Sequence, residues 1–301
     1  MREGVVQWTT DGPPPRPLPS RVRGAKGNGF RWHSNQSRTR AMARSFLFAQ
    51  DTGDAATTRL IATAAQLTGF MKGEPGPARP GWYRPGADNG PMLAELHAAL
   101  AATYPKAGPA FYAVRLWTNL LWQPAYLAVI SAHFHGAMPD LSGLSQQRRG
   151  IYVDGYRLLP GAQVAGSVEA LIDNAGSQLS AMTAVMLEEV NALARLKPLP
   201  ARRLLADRML SLMVWLSQRR RDLPPATIRD YSEQWLSVLG LAGQGDLQSV
   251  FAADGRELLI VRRKGCCLDY RIDPDRLCAT CPKQDDTVRV ARQTANALAE
   301  L

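Results

Sequence analysis

The sequence predicts an α+β fold that is predominantly α-helical, with a helical body, then a small β-hairpin, then a C-terminal segment rich in cysteine. Three observations predict it. From about residue 55 onward the apolar pattern is mainly helical, most clearly over 166–196, where Val168, Leu171, Ile172, Ala175, Leu179, Met182, Met186, Val190, Leu193 and Leu196 recur at steps of three and four. The clearest hairpin signal is late, at 247–252 and 256–263, with Ala253-Asp254-Gly255 at its tip. All four cysteines follow it, within 266–281.

Taken in order, residues 1–41 come first. They hold eight basic residues and two acids, with Gly-Pro-Pro-Pro-Arg-Pro at 12–17 and almost no apolar periodicity. Such a segment buries too little surface to offset its ordering entropy, so it reads as a disordered basic tail, with Met42 as an alternative translation start. The body then runs over 42–245. Residues 56–71 and 90–103 are helix-compatible and flank a Pro/Gly-rich connector at 73–91. Residues 109–123 read as a helix that Pro124 should kink or break, and a second stretch runs to about Phe134. Residues 150–159 look like a short strand pair or a bent strand. After 166–196, stopped by Pro198 and Pro200, two amphipathic helices follow at 201–219 and 225–240, the second opened by proline. The hairpin and cysteine segment form the last part, 246–301.

Composition narrows the function classes. An apolar fraction of 46% and a charged fraction of 21% fit a globular chain with a real core and exclude a collagen-like or wholly disordered one. The net charge of +10 sits largely in the first 41 residues, and no repeated aromatic pattern accompanies it, so a nucleic-acid partner is not expected. The most apolar run, Pro124 to Ala132, is about half of the ~20 residues a membrane span needs. The expectation is a cytoplasmic protein, at most peripheral to the inner membrane. No Gly-rich phosphate loop follows a predicted strand, so no nucleotide or flavin site is expected.

The cysteines are the sharpest feature: Cys266, Cys267, Cys278 and Cys281, spaced C-C-x10-C-x2-C. Two disulfides are disfavoured in a reducing compartment. A structural zinc site normally uses two C-x2-C knuckles, and only Cys278–Cys281 is one. Adjacent cysteines on an extended strand point to opposite sides, so Cys266 and Cys267 need a bulge or turn to meet one small ion. An iron–sulfur cluster also takes four thiolates and is a larger target. The spacing favours the cluster reading and leaves its type open.

This window, with its C-C-x10-C-x2-C arrangement, resembles the C-terminal signature of the FhuF-type ferric siderophore reductases. Trp117-Thr-Asn-Leu-Leu-Trp122 before Pro124, and Gly155-Tyr-Arg-Leu, are more loosely similar to that family. The resemblance implies a [2Fe–2S] cluster on Cys266, Cys267, Cys278 and Cys281. It also implies one-electron reduction of siderophore-bound Fe(III) in the cytoplasm, with a ferric siderophore and an unidentified electron donor as partners. Residues 1–41 lie outside it. A non-enzymatic four-thiolate zinc module and an iron–sulfur electron carrier are the alternatives.

Arg262, Arg263 and Lys264 run into the first cysteine, and Arg271 lies between the ligand pairs, so all four are candidates for attracting an anionic ferric complex. Their simpler role is to solvate the segment and offset Asp269, Asp273 and Asp275. Trp117, Trp122, Tyr126, Tyr152 and Tyr156 are candidate cavity residues, although aromatics at helical spacing usually pack a core. His133 and His135 are a close pair, read as helix-end packing rather than metal ligands. His97 reads as structural, and His33 belongs to the tail.

Overall fold

The computed structural model describes residues 53–300. The tail at 1–41, the start at Met42 and His33 lie outside the described residues.

The body opens with α1 (Gly53–Thr68), β1 (Gly73–Pro75), α2 (Gly90–Thr103) and α3 (Pro109–Ile130). A π-helical turn at Ser131–His135 leads through β2 (Ala137–Met138), β3 (Ser145–Arg149), β4 (Tyr152–Leu158) and β5 (Val164–Ala165). Three longer helices follow: α4 (Val168–Leu193), α5 (Pro198–Arg219) and α6 (Pro225–Val238). The hairpin is β6 (Asp246–Phe251) with β7 (Glu257–Arg262), and α7 (Asp286–Ala299) comes last. The described chain is therefore predominantly helical with small sheets, as the periodicity predicts. No described helix is long and apolar enough to cross a membrane.

The core is built around α3. Its sequence is apolar nearly all round, the pattern of a helix enclosed by others, and every residue from Gln123 to Ile130 is buried. Helices α1, α2, α4 and α5 pack about it. Beyond its exposed first turn, only one stripe is left partly open: Arg115, Thr118, Asn119 and Trp122, spaced at helical steps along a single face.

Pro124 does not break this helix. The expected break is a correction with a visible cause: Pro109–Ile130 is one continuous helix. Proline removes the N–H that would bond the carbonyl of Leu120. Gln146 on β3 supplies the missing donor: its Nε2 bonds Leu120 O at 3.1 Å and Gln123 Oε1 at 3.0 Å, fully out of solvent.

Two further elements depart from the sequence expectation. The Pro/Gly-rich connector contributes β1, which pairs in parallel with β4 (Gly73↔Tyr156, Pro75↔Leu158), so the segment predicted at 150–159 is one strand, the middle of a three-stranded sheet ordered β1-β4-β3. Helix α7 has no counterpart in that expectation. Its buried face carries Arg289 and Gln293 as well as Ala297, so no apolar stripe announces it. The hairpin agrees with its Asp-Gly signal: Asp246 pairs with Arg262 and Phe251 with Glu257 around the turn. Strand β7 then packs on α5, and its Val261 N–H donates to Gln293 Oε1 of α7 at 3.2 Å.

Replacing Gln146 by Leu orphans the Leu120 carbonyl and is expected to cost about 1–3 kcal/mol of stability in denaturant titrations. In a Pro124→Ala background the same change should cost measurably less, because the alanine N–H restores the helical donor. Equal costs in both backgrounds would show that Gln146 acts through something other than that carbonyl.

Candidate metal centre

The cysteine segment is held at its start by a buried carboxylate. Asp207, on the buried face of α5, accepts from Gly265 N at 2.7 Å, Lys264 N at 3.1 Å and Arg263 Nε at 3.3 Å. Its side chain and that of Arg263 are 3% and 6% exposed, so this is a true interior ion pair. Burial pushes the Asp207 carboxyl above the ordinary carboxylate range, and Arg263 with the two backbone N–H groups opposes it. Gly265 must be glycine for a steric reason. A Cβ there would lie 2.7 Å from Asp207 Oδ2 and 3.0 Å from the backbone N of Leu204.

Arg263 also reaches forward, Nη1 donating to Thr280 Oγ1 at 3.1 Å, and so ties the entry of the loop to its second cysteine pair. Between these points the chain reverses. Leu268 takes a left-handed conformation (φ 63°), rare for a residue with a branched side chain, and a 3₁₀ turn follows at Asp269–Arg271. That turn is fastened to the body by the Arg115–Asp269 ion pair and by Arg271 Nη1 to Ala107 O at 3.1 Å. At the far end Cys281 N donates to Cys278 O at 3.0 Å, the tight turn of a C-x2-C knuckle. Gln284 Nε2 donates to Cys278 O at 2.6 Å, while its Oε1 accepts from Arg292 of α7. Asp285 then caps α7, accepting from Thr287 N at 2.8 Å.

No disulfide joins the four cysteines; Cys267 and Cys281 are buried and Cys266 and Cys278 partly so. Cys267 and Cys278, eleven positions apart in sequence, bring their sulfurs to 3.9 Å. Two thiolates on one tetrahedral metal lie at about this separation, given metal–sulfur bonds of roughly 2.3 Å. The Cys267 thiol is pushed up by sharing its proton with Cys278 and by burial. Burial likewise raises Cys266, opposed by the Leu268 N–H. Among the described residues no group of three or more His, Cys, Asp or Glu converges on a point where one metal ion would sit. The thiols that do approach each other, Cys267 and Cys278, come from the two ends of one loop that also carries Cys266 and Cys281. That chemistry fits a thiolate-bound iron–sulfur core.

Beside this loop lies a cavity of about 410 Å³. Its floor is the open stripe of α3: Arg115, Thr118, Asn119 and Trp122, continued by Tyr126. Asn119 Oδ1 accepts from Val153 N at 3.1 Å, and Trp122 Nε1 donates to Val153 O at 2.8 Å. These two side chains bond the free edge of β4 and set the floor against Tyr152 and Val153. The opposite wall comes from the cysteine loop, including Asp269, Arg276 and Cys278, and from Arg292 and Asn296 of α7. Arg208 of α5 lies at the back.

The sequence candidates divide accordingly. Trp122, Tyr126 and Tyr152 line the cavity, whereas Trp117 and Tyr156 are core residues. None of Arg262, Arg263, Lys264 and Arg271 lines it. Arg263 is buried against Asp207, Lys264 bonds Gly243 O and pairs with Asp246, Arg262 faces Asp286 at 3.8 Å, and Arg271 bonds Ala107. The guanidinium groups at the cavity are instead those of Arg115, Arg208, Arg276 and Arg292. The available signal was the polar stripe Arg115, Thr118, Asn119 on an otherwise apolar helix. His133 lies far from these cysteines in chain and role. Its Nε2 accepts from Trp235 Nε1 at 3.1 Å, and burial pulls its pKa down to about 3, so it is a neutral packing residue. His135 pairs with Gln163 and His97 packs edge-on against Tyr112.

Residues 263–283 match the model of the FhuF 2Fe-2S C-terminal domain. The matched stretch runs from the buried Arg263 through all four cysteines and leaves the helical body outside it. The match indicates a [2Fe–2S] cluster as the cofactor. No solved structure matches the chain.

Asp207→Ala leaves the Arg263 charge and two backbone N–H groups buried without their acceptor. The expected loss is about 3–5 kcal/mol, read by denaturant unfolding, with faster amide exchange at 263–267. A variant as stable as the parent would mean that the segment is anchored elsewhere.

Proposed function

We propose that the protein is a cytoplasmic ferric siderophore reductase, in which Cys266, Cys267, Cys278 and Cys281 hold the [2Fe–2S] cluster and a ferric siderophore occupies the adjoining cavity. The observation that carries this reading is the double membership of Cys278. It belongs to the matched cysteine segment and also to the wall of a cavity large enough for a ligand.

When bound, the cluster supplies single electrons. The substrate's Fe(III) gains one electron and becomes Fe(II), and a separate one-electron donor loses one. Hard oxygen ligands hold Fe(III) strongly and the softer Fe(II) weakly, so this change alone loosens the chelate. The chain's own residues position the substrate. The α3 floor and Trp122 exclude water from one side of it, and Arg276 and Arg292 offer donors to its oxygens from the other. The Asp207–Arg263 pair keeps the cysteine loop fixed while substrate comes and goes.

Anaerobically purified protein should be brown, with iron and acid-labile sulfide in equal amounts. After chemical reduction and removal of the reductant, it should release Fe(II) from ferric siderophores to a ferrous-specific dye, in proportion to its cluster content. Cys267→Ser should lose iron, sulfide and this activity together. Colourless protein with one zinc per chain would replace the cluster by a zinc module. A reduced cluster that yields Fe(II) from no siderophore class would leave an electron carrier in place of a reductase.

A further inference from the structure

The C-x2-C turn carries a buried hydroxyl beside one of its sulfurs. Thr280 is the third residue of Cys278-Ala279-Thr280-Cys281. Its Oγ1 accepts from Arg263 Nη1 at 3.1 Å and stands as donor 4.0 Å from Cys278 Sγ. The first contact constrains the second. A guanidinium has donors only, so the hydroxyl hydrogen cannot be given back to Arg263. The sulfur lies within its reach. A backbone carbonyl would satisfy Arg263 equally well, but only a hydroxyl accepts from the guanidinium and also offers a donor to the sulfur.

Arg263 is set to polarise that hydroxyl. Its Nε edge is taken by Asp207 at 3.3 Å, its Nη1 is turned to Thr280, and its side chain is only 6% exposed, so salt screens its field little. The same guanidinium opposes the upward shift that burial gives Cys266 and that the shared proton and burial give Cys267. A line of polar contacts thus runs from Asp207 of α5 through Arg263 and Thr280 to Cys278.

We propose that Thr280, polarised by Arg263, is a positioning residue that donates a hydrogen bond to Cys278 Sγ and raises the reduction potential of the bound cluster. The inference rests on Cys278 being a cluster ligand and adds what sets the energy of the electron held there. Reduction adds negative charge, which the ligand sulfurs share. A hydrogen bond to a charged acceptor is about twice as strong as one between neutral groups. A donor at the sulfur therefore stabilises the reduced form more than the oxidised form, and hydrogen bonds to ligand sulfurs are among the factors that set such potentials. Thr280 neither gains nor loses an electron or a proton; it alters only the driving force between the external donor and the Fe(III) substrate.

Thr280→Val keeps the branched shape and removes the hydroxyl. Anaerobic redox titration of the holoprotein, followed by visible absorbance, should show its one-electron equilibrium moved about tenfold toward the oxidised form, a potential lower by ~59 mV. Thr280→Ala should also lower it, and Thr280→Ser should restore most of the parent value. Resonance Raman bands of the iron–cysteine stretches should shift in D2O for the parent and shift less for Thr280→Val. A loaded valine variant with the parent potential or a higher one, a serine variant as low as the valine variant, or a parent without a deuterium shift would each overturn the proposal. Loss of the cluster in both hydroxyl-free variants would make Thr280 a requirement of assembly and overturn the tuning role. Cys278→Ser with parent iron, sulfide and spectrum would instead remove Cys278 as a ligand and overturn the cluster assignment. A Cys278→Ser protein that loses the cluster, beside an unshifted Thr280→Val, would overturn the tuning role alone.

Discussion

A carboxylate shut away from water must find its hydrogen-bond donors inside the protein, and Asp207 finds them in three consecutive residues, Arg263, Lys264 and Gly265. That requirement fixes the path of the chain where it leaves β7 and enters the cysteine loop. It also dictates the glycine, because a side chain at 265 would occupy the space of the carboxylate and of the α5 backbone. Arg263 carries the constraint on to Thr280, so one buried ion pair ties the entry of the loop to the Cys278–Cys281 turn. Ion pairs of this kind contribute little net stability after their desolvation cost. Their return here is positional: Cys267 and Cys278 stand 3.9 Å apart with no disulfide between them.

The second constraint is the enclosure of α3. A helix buried on all sides but one presents its remaining stripe wherever the packing leaves an opening, and here that opening faces the cysteine loop. The stripe is polar and aromatic because it meets the cavity as well as protein. Arg115 shows how closely the two regions depend on each other. It rises from the helix floor to pair with Asp269, directly after the left-handed turn at Leu268. Helix floor, loop and Arg292 of α7 thus converge on one space, although they lie at residues 115, 269 and 292.

Much of this was legible in the sequence, and what was not has physical causes. The long stripe of α4 and the Asp-Gly hairpin were plain because each obeys one local rule. The four cysteines were plain because their spacing is unlike anything a core requires. Pro124 misled because the donor that compensates it, Gln146, comes from a different element, and a local rule has no view of it. Helix α7 was missed because it buries Arg289 and Gln293, so its inward face carries no apolar signal. The basic run at 262–264 suggested substrate contact from its nearness in sequence to Cys266. In the fold those charges are taken up by Asp286, Asp207 and Asp246, and the cavity draws its arginines from four separate elements.

Helix α7 follows the last cysteine, and it closes one side of the cavity, bonds β7 through Gln293 and braces the C-x2-C turn through Arg292 and Gln284. A reading frame interrupted just beyond Lys283 would therefore encode every sulfur and still yield a defective product. The lesion would fall on the cysteine turn and on the cavity wall together, from a stretch that contributes no sulfur.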